Sequence, residues 1–308
     1  MKWKTVIVTG GAGFVGTHLV NALAEKAERV VVIDKVKPQK DQKNIKAIYK
    51  KLDIATDDLE EIFAKEKPQV VFHLAAHIDD RESVKEPIMN AEQNLVGSLR
   101  VFEACKKNLK GKIVFASTGG LIYGEQDKIP VSEDAVPRPL TPYAVSKLTG
   151  ERYLYFYNKI HGLPYTAIRF SNSYGPWQDG SAECGAIAIF TARLLKGKEV
   201  HINNDGATTR DYVYIDDVVN AFLRAAESDV VGVYNIGTGV ETSTLELFEK
   251  ICEAVGVQAS PIFEEEIEDL VKRSALDCKK AKKDLGWEPK VSLDEGIEKT
   301  VKWYHENV

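Results

Sequence analysis

Hydrophobic residues fall into two alternating patterns along this chain. Short, nearly unbroken runs of β-branched and aromatic residues occur at TVIVTG (5–10), RVVVID (29–34), AIYKKLD (47–53), QVVFHLAA (69–76), KIVFAST (112–118) and YTAIRFS (165–171). Runs without polar alternation predict strands buried on both faces, as in a parallel sheet. Between them, amphipathic stretches near 14–27, 57–65, 88–108 and 141–161 predict helices. This order predicts an α/β fold, a doubly wound parallel sheet of Rossmann type that binds ligands at the carboxyl ends of its strands.

After Asn172 the pattern changes. SYGPWQDGSAECG (173–185) is rich in turn formers and predicts a loop. Helices near 185–196 and 216–228 follow, separated by a charged turn at 203–211. VYNIG (233–237) predicts one more buried strand, and helices near 243–255 and 293–306 close the chain. At 308 residues the chain slightly exceeds what one core organises. The expected division is a main domain over 1–171, to which 212–237 return, and a smaller interleaved C-terminal lobe of 172–211 and 238–308. The acidic run from Glu264 to Asp269 reads as a solvated segment.

Composition narrows the function classes. A chain 44% hydrophobic and 28% charged is that of a folded globular protein. A net charge of −5 argues against a nucleic-acid partner. The apolar runs, such as VVVI (30–33) and VVFHLAA (70–76), fall short of the ~20 residues of a membrane span. Residues 1–9 read as a strand, not a signal peptide. Cys105, Cys184, Cys252 and Cys278 are scattered without a C-x-x-C pair, which predicts reduced thiols and a cytoplasmic protein. The six histidines show no ligand pattern, so no metal is expected; His73 and His77 straddle a strand end, in a core or groove role.

GGAGFVG (10–16) follows a strand and opens a helix. Gly11, Gly13 and Gly16 satisfy G-x-G-x-x-G, and Gly10, Gly13 and Gly16 satisfy G-x-x-G-x-x-G. Glycine there permits the tight turn, the close approach of backbone to a pyrophosphate, and tight packing of helix on strand. The helix N-terminus adds free N–H groups for the phosphates. Asp34 ends the second strand, where a carboxylate accepts both ribose hydroxyls of NAD and repels a 2′-phosphate. NAD is therefore the expected cofactor, although Lys35 and Lys37 lie close by.

TPYAVSK (141–147) reads as a helix start, with Thr141 as N-cap and Pro142 at the first helical position. Tyr143 and Lys147 then share one helix face. A free phenol titrates near ~10, too high for a base at neutral pH, and a neighbouring ammonium favours its ionised form. Tyr155 and Lys159 repeat the spacing ~18 Å further along, without a cap signature, and are expected to be packing and surface residues. A hydroxyl partner is expected from Ser117 or Thr118 at the end of the fifth strand, followed by Gly119 and Gly120.

Together these motifs resemble the extended short-chain dehydrogenase/reductase family. Within it the chain is similar to the nucleotide-sugar 4-epimerases of the UDP-glucose (UDP-galactose) type. The similarity runs through VTGGAGFVG (8–16), LDI (52–54), HLAA (73–76), STGGLIYG (117–124), YAVSK (143–147), RFSNSYGP (169–176), TRDYVYIDD (209–217), NIGTG (235–239) and LGWEPKVSLDEG (285–296). The resemblance implies NAD contacts from Gly10, Gly13, Phe14, Val15, Gly16, Asp34, Asp53, Ile54, Leu74, Ala75, Ala76, Asn94, Ser117, Tyr143, Lys147 and Phe170, with Asp53 and Ile54 at the adenine. It makes Thr118 the catalytic hydroxyl, Tyr143 the base and Lys147 the residue holding Tyr143 and the nicotinamide ribose. Asn172 and Arg210, with Thr118 and Tyr143, would bind the UDP-sugar.

The implied reaction is inversion at C4 of a nucleotide-linked hexose through a transient 4-keto sugar. A 4-epimerase of UDP-N-acetylhexosamine or UDP-glucuronate, a nucleotide-sugar reductase and a non-catalytic NAD-binding scaffold or sensor remain alternatives. A 4,6-dehydratase would carry acidic residues where Gly119 and Gly120 stand. The helices near 88–108 and 141–161 would pair with their copies in a homodimer. One departure stands out: family members often carry R-x-G-D before the last helices, whose Arg binds the diphosphate. Here 264–277 reads EEEIEDLVKRSALD, with Glu266 or Ile267 at that point. Lys272 or Arg273 would substitute, or the loop rearranges, or the sugar-donor group differs. Ser274 falls where small residues admit an N-acetylhexosamine.

Overall fold

In a computed structural model, described over residues 3–181, 185–264 and 271–307, seven parallel strands form the central sheet. They are β1 (Trp3–Thr9), β2 (Ala27–Asp34), β3 (Ala47–Lys51), β4 (Val70–His73), β5 (Lys112–Thr118), β6 (Tyr165–Phe170) and a seventh, Gly232–Ile236. From edge to edge the order is the seventh strand, β6, β5, β4, β1, β2, β3. The direction of winding reverses between β1 and β4, and that switch point opens a crevice at the strands' carboxyl ends.

The unbroken hydrophobic runs are explained by burial on both faces. Ile7, Val31, Val71, Phe115 and Ala167 point to one side, where Phe63, Phe102, Leu154 and Tyr157 cover them. Val8, Val32, Phe72, Val114 and Ile168 point to the other, against Leu19, Val218 and Phe222. This second core continues without a break into Phe190, Phe248, Trp287, Ile297 and Val301 of the C-terminal segments. The end of the chain is thus packed on the sheet, not tethered to it.

Two buried carboxylates fasten that packing. Asp211 accepts the backbone N–H groups of Thr238, Gly239 and Leu276, and Asp217 those of Lys290 and Val291. Fully buried Trp287 donates its indole N–H to the Asp217 carbonyl (2.9 Å).

Several elements were not anticipated from the pattern. Asn172–Tyr174 pairs with Tyr212–Tyr214, Thr209–Arg210 with Thr242–Ser243, and His201–Asn203 with Ile262–Glu264. Strands of two or three residues carry no periodicity; partners distant in sequence create them. The short helices Asp80–Lys85 and Lys279–Leu285 are likewise too short to show a period, and within the helix expected near 88–108 the turns Ala91–Val96 are π-helical. Of the acidic run, Glu264 pairs with His201 (2.7 Å). The rest of it, including Glu266 and Ile267, lies outside the described residues, as does Cys184. Cys105, Cys252 and Cys278 are free thiols. No helix among the described residues is long and apolar enough to cross a membrane.

Candidate active site

A groove of about 380 Å³ occupies the crevice at the switch point. Gly10, Gly13, Phe14, Val15 and Gly16 form its floor where β1 passes into the helix Phe14–Lys26. Gly10 adopts φ +73°, and a β-carbon there would lie 2.5 Å from the Ala75 nitrogen. At Gly16 a β-carbon would lie 2.1 Å from the Gly10 carbonyl oxygen. The turn therefore closes only without side chains, and the helix begins with no side-chain cap on its free N–H groups. This is a cradle shaped for a pyrophosphate.

Asp34 stands at one end of the groove, oriented by the backbone N–H groups of Ala12 and Val36, both at 3.0 Å. Each carboxylate oxygen takes one of these bonds and keeps lone-pair capacity for a hydroxyl. Asp53 and Ile54 line the same end, and Leu74, Ala75 and Ala76 form the wall after β4. Asn94 does not line the groove. It is buried behind it, accepting the His77 N–H (2.6 Å) and donating to the His77 carbonyl (2.9 Å), so that it shapes the wall from the π-helical turn. Gln93 faces the groove instead. Below the wall, His73 is fully buried between the hydroxyls of Thr9 (2.6 Å) and Ser98 (2.9 Å). Burial, with the Lys147 charge nearby, pushes its pKa down to about 3, so the ring is neutral. Its complete burial and its two hydroxyl partners make it part of the core.

At the other end stand Ala116, Ser117, Tyr143, Lys147 and Phe170. The helix Pro142–His161 starts as its sequence predicts, with the Thr141 hydroxyl accepting the Ala144 N–H (3.3 Å). The Tyr143 N–H is held by the Ser83 hydroxyl (3.2 Å). One turn on, buried Lys147 donates to the Ala116 carbonyl (2.9 Å), with its ammonium 5.0 Å from the Phe115 ring centre and 5.8 Å from that of Tyr143. Burial brings Lys147 down to about 7, with Glu151 opposing the shift. The second pair is remote from the groove: Tyr155 is 55% exposed, with Lys159 over its ring.

The two hydroxyls part ways. Ser117 lines the groove and donates to Glu151 (2.5 Å), whereas Thr118, the last residue of β5, lies outside the lining at 9% exposure. Asn172 and Arg210 also lie outside the groove. They belong to two short strands just past β6 and just before Tyr212, and the Asn172 side-chain oxygen lies 3.2 Å from where a Gly120 β-carbon would stand. Arg210 donates to the Thr209 carbonyl (2.8 Å) and pairs with neither Asp211 nor Asp217. Arg273 forks onto Glu241 (2.6 and 2.9 Å), next to the Thr242 that pairs with Arg210. Ser274 approaches the Gly120 carbonyl (3.4 Å).

Lys35, close to Asp34 in the sequence, and His77, expected in a core or groove role, both line the groove; Leu52, Ile78, Ser173 and Gln178 line it as well without a site role expected from sequence. Except for Ser173, in the short strand Asn172–Tyr174, these residues sit on loops, and the strand order brings them together. For Ser173 and Gln178 the signal was the glycine-rich stretch after Asn172, which read simply as a loop.

The UDP-glucose 4-epimerase of Mycolicibacterium smegmatis is 42% identical over 305 residues, covering 97% of each chain. A UDP-glucose 4-epimerase from Thermotoga maritima, solved with UDP-glucose, is 43% identical with a TM-score of 0.95, over 98% of this chain and 99% of that one. The Thermus thermophilus UDP-glucose 4-epimerase, solved with NAD, is 38% identical with a TM-score of 0.92, over 99% and 100%. The sequence model of the NAD dependent epimerase/dehydratase family matches residues 6–237. Spanning well over half of the chain and containing both the glycine turn and the Tyr143–Lys147 helix, that match places the protein in the NAD dependent epimerase/dehydratase family.

Proposed function

We propose that this protein interconverts the C4 epimers of a UDP-linked hexose, glucose and galactose first, with NAD retained through the cycle. The observation that carries the reading is Tyr143 and Lys147 in the wall of the groove that starts at the glycine turn. The relatives above are UDP-glucose 4-epimerases, which supports the choice of sugar. The cofactor fits: the side-chain-free cradle suits its pyrophosphate, and Asp34 and Asp53 suit its adenosine half. When bound, NAD supplies hydride transfer in both directions.

The protein's own groups move the proton. Tyr143 as phenolate takes the 4-hydroxyl proton and later returns it. Lys147 holds positive charge beside the ring and lowers the cost of that phenolate. Thr118, at the tip of β5, hydrogen-bonds the sugar oxygen, and Asn172 lies beside it across Gly120. Arg210 pairs with the diphosphate, and Arg273 on the adjoining segment joins it by exchanging its fork on Glu241 for phosphate oxygens, which suit a guanidinium. Residues 172–211 and 238–308 form the sugar-nucleotide lobe on a domain of 1–171 and 212–237. Two copies pair through the helices at 87–108 and 142–161, where Val145, Phe156 and Ile160 are exposed. A cytoplasmic setting accords with the free thiols.

A second reading, acceptance of N-acetylhexosamines, is favoured by the small Ser274 beside Gly120. Incubation with UDP-glucose, UDP-GlcNAc and UDP-glucuronate, followed by chromatographic separation of epimers, tests both. Interconversion without net change in the reduced-nicotinamide band is expected. Continuous consumption of NAD(P)H would mark a reductase, and no conversion of any sugar defeats the epimerase reading. NAD is expected to bind at least about tenfold tighter than NADP, because Asp34 repels a 2′-phosphate. A titration in which NADP binds as well overturns the role of Asp34.

A further inference from the structure

The mechanism leaves one buried acid beneath the site unused. Glu151 follows Tyr143 and Lys147 at the same four-residue interval, so all three lie on one face of the helix. It is 4% exposed, a depth at which a carboxylate persists only with partners. Its oxygens accept the Ser117 hydroxyl (2.5 Å) and both arms of the buried Arg169 guanidinium (2.9 and 2.6 Å). Arg169 in turn donates to the Tyr123 hydroxyl (2.7 Å), which donates to Asn235 (2.7 Å).

Two consequences follow for the groove. Lys147 grips the carbonyl of Ala116 and Glu151 grips the hydroxyl of Ser117, so successive turns of the helix hold successive residues of β5. This fixes the height of Tyr143 against the strand end that carries Thr118. Second, Lys147 needs an anion. It is buried in the second turn of its helix, where the free N–H groups of the N-terminus oppose a cation. On its own helix it meets Tyr143 and Glu151; from β4 it meets neutral His73, from β5 the Phe115 ring, and from β6 Arg169, whose charge Glu151 balances. Past β4, His77 is engaged with Glu82 (3.1 Å).

Resting on the epimerase reading, we infer that Glu151 is a positioning residue: through Ser117 and Lys147 it keeps the ammonium charged and the end of β5 in register, and so sets the acidity of Tyr143. Burial draws Lys147 down to about 7, and the Glu151 carboxylate is the charge that opposes it.

The test uses the NAD-loaded protein and Glu151→Gln, which keeps the shape and removes the charge. Without the carboxylate Lys147 ionises less readily, so Tyr143 holds its proton to higher pH. The acid limb of the kcat profile is expected to move up by about one pH unit, lowering kcat at neutral pH about tenfold with KM for the UDP-sugar unchanged. Independently of turnover, the ultraviolet phenolate signal of Tyr143, isolated by difference against Tyr143→Phe in each background, should titrate at higher pH in Glu151→Gln. Glu151→Asp, which retains the charge, should return part of the shift. Should Glu151→Gln misfold around the stranded Arg169, Glu151→Asp, which keeps the pair but draws the carboxylate back from Ser117 and Lys147, should move the limb and the phenolate titration in the same direction by a smaller amount. A uniform loss of kcat with the limb and the phenolate titration unmoved overturns the inference. Absence of epimerisation in the wild type would instead defeat the reading beneath it, while the phenolate titration still reports on Glu151.

Discussion

Tyr143→Phe is expected to lower kcat by ~10²–10⁴-fold, the usual worth of a positioned acid–base group. The substitution deletes only the phenol oxygen. The ring still lines the groove, the Thr141 cap and the Ser83 contact to the backbone remain, and Lys147 keeps its bond to the Ala116 carbonyl. NAD content and melting temperature should therefore match the wild type, and only turnover should fall. Epimer ratios against time, with NAD released and quantified from the same sample, measure both quantities. Tyr155→Phe serves as the matched comparison, because it alters the same spacing on an exposed stretch of the same helix and should leave turnover unchanged. Full activity in Tyr143→Phe would remove this residue from the mechanism.

Gly16→Ala should abolish tight NAD binding and lower stability by about 1–3 kcal/mol, the usual cost of forcing a methyl group into filled space. The new carbon would lie 2.1 Å from the Gly10 carbonyl oxygen and 2.6 Å from the Gly11 α-carbon. Both obstacles are backbone, so no rotamer change relieves the clash; the whole turn must open. Gly13→Ala separates structure from binding. Its β-carbon would meet only the Gly10 oxygen, at an ordinary 3.5 Å, so the fold should tolerate it. Gly13 nonetheless faces the groove, and a methyl group there should weaken NAD binding with little change in melting temperature. Equal melting curves and NAD content for Gly16→Ala and the wild type would contradict the cradle.

Glu151 and Asp34 show how differently neighbouring features are written into a chain. Asp34 is legible because its place depends on one strand and one turn, both local, and hydrophobic runs mark where the strand ends. The same holds for the glycine turn, the Thr141 cap and the Tyr143–Lys147 face. Each is decided within a few residues by steric limits, capping and helical periodicity. The order of strands and helices is equally local, and the burial of both sheet faces explains why the runs lack alternation.

What depends on distant segments was not legible. Asn94 reads as a groove residue, but a π-helical turn and the packing of the loop after β4 turn its amide onto His77. Ser117 and Thr118 are adjacent in sequence, yet strand pleating sends one toward Glu151 and the groove and leaves the other outside the lining. Glu151 and Arg169 lie 18 residues apart and become a buried pair only because the helix Pro142–His161 packs across β5 and β6.

The sequence by itself determined the doubly wound fold, the glycine cradle with its aspartate, and the tyrosine and lysine on one helix face. These follow from local backbone sterics and side-chain periodicity. Only the tertiary structure decided which of the neighbouring polar groups enter the groove, which buried acid lies beneath Lys147, and how the C-terminal segments share a core with the sheet. Those depend on the register between elements far apart in the chain, which is set when the hydrophobic faces close and every buried charge must find a partner.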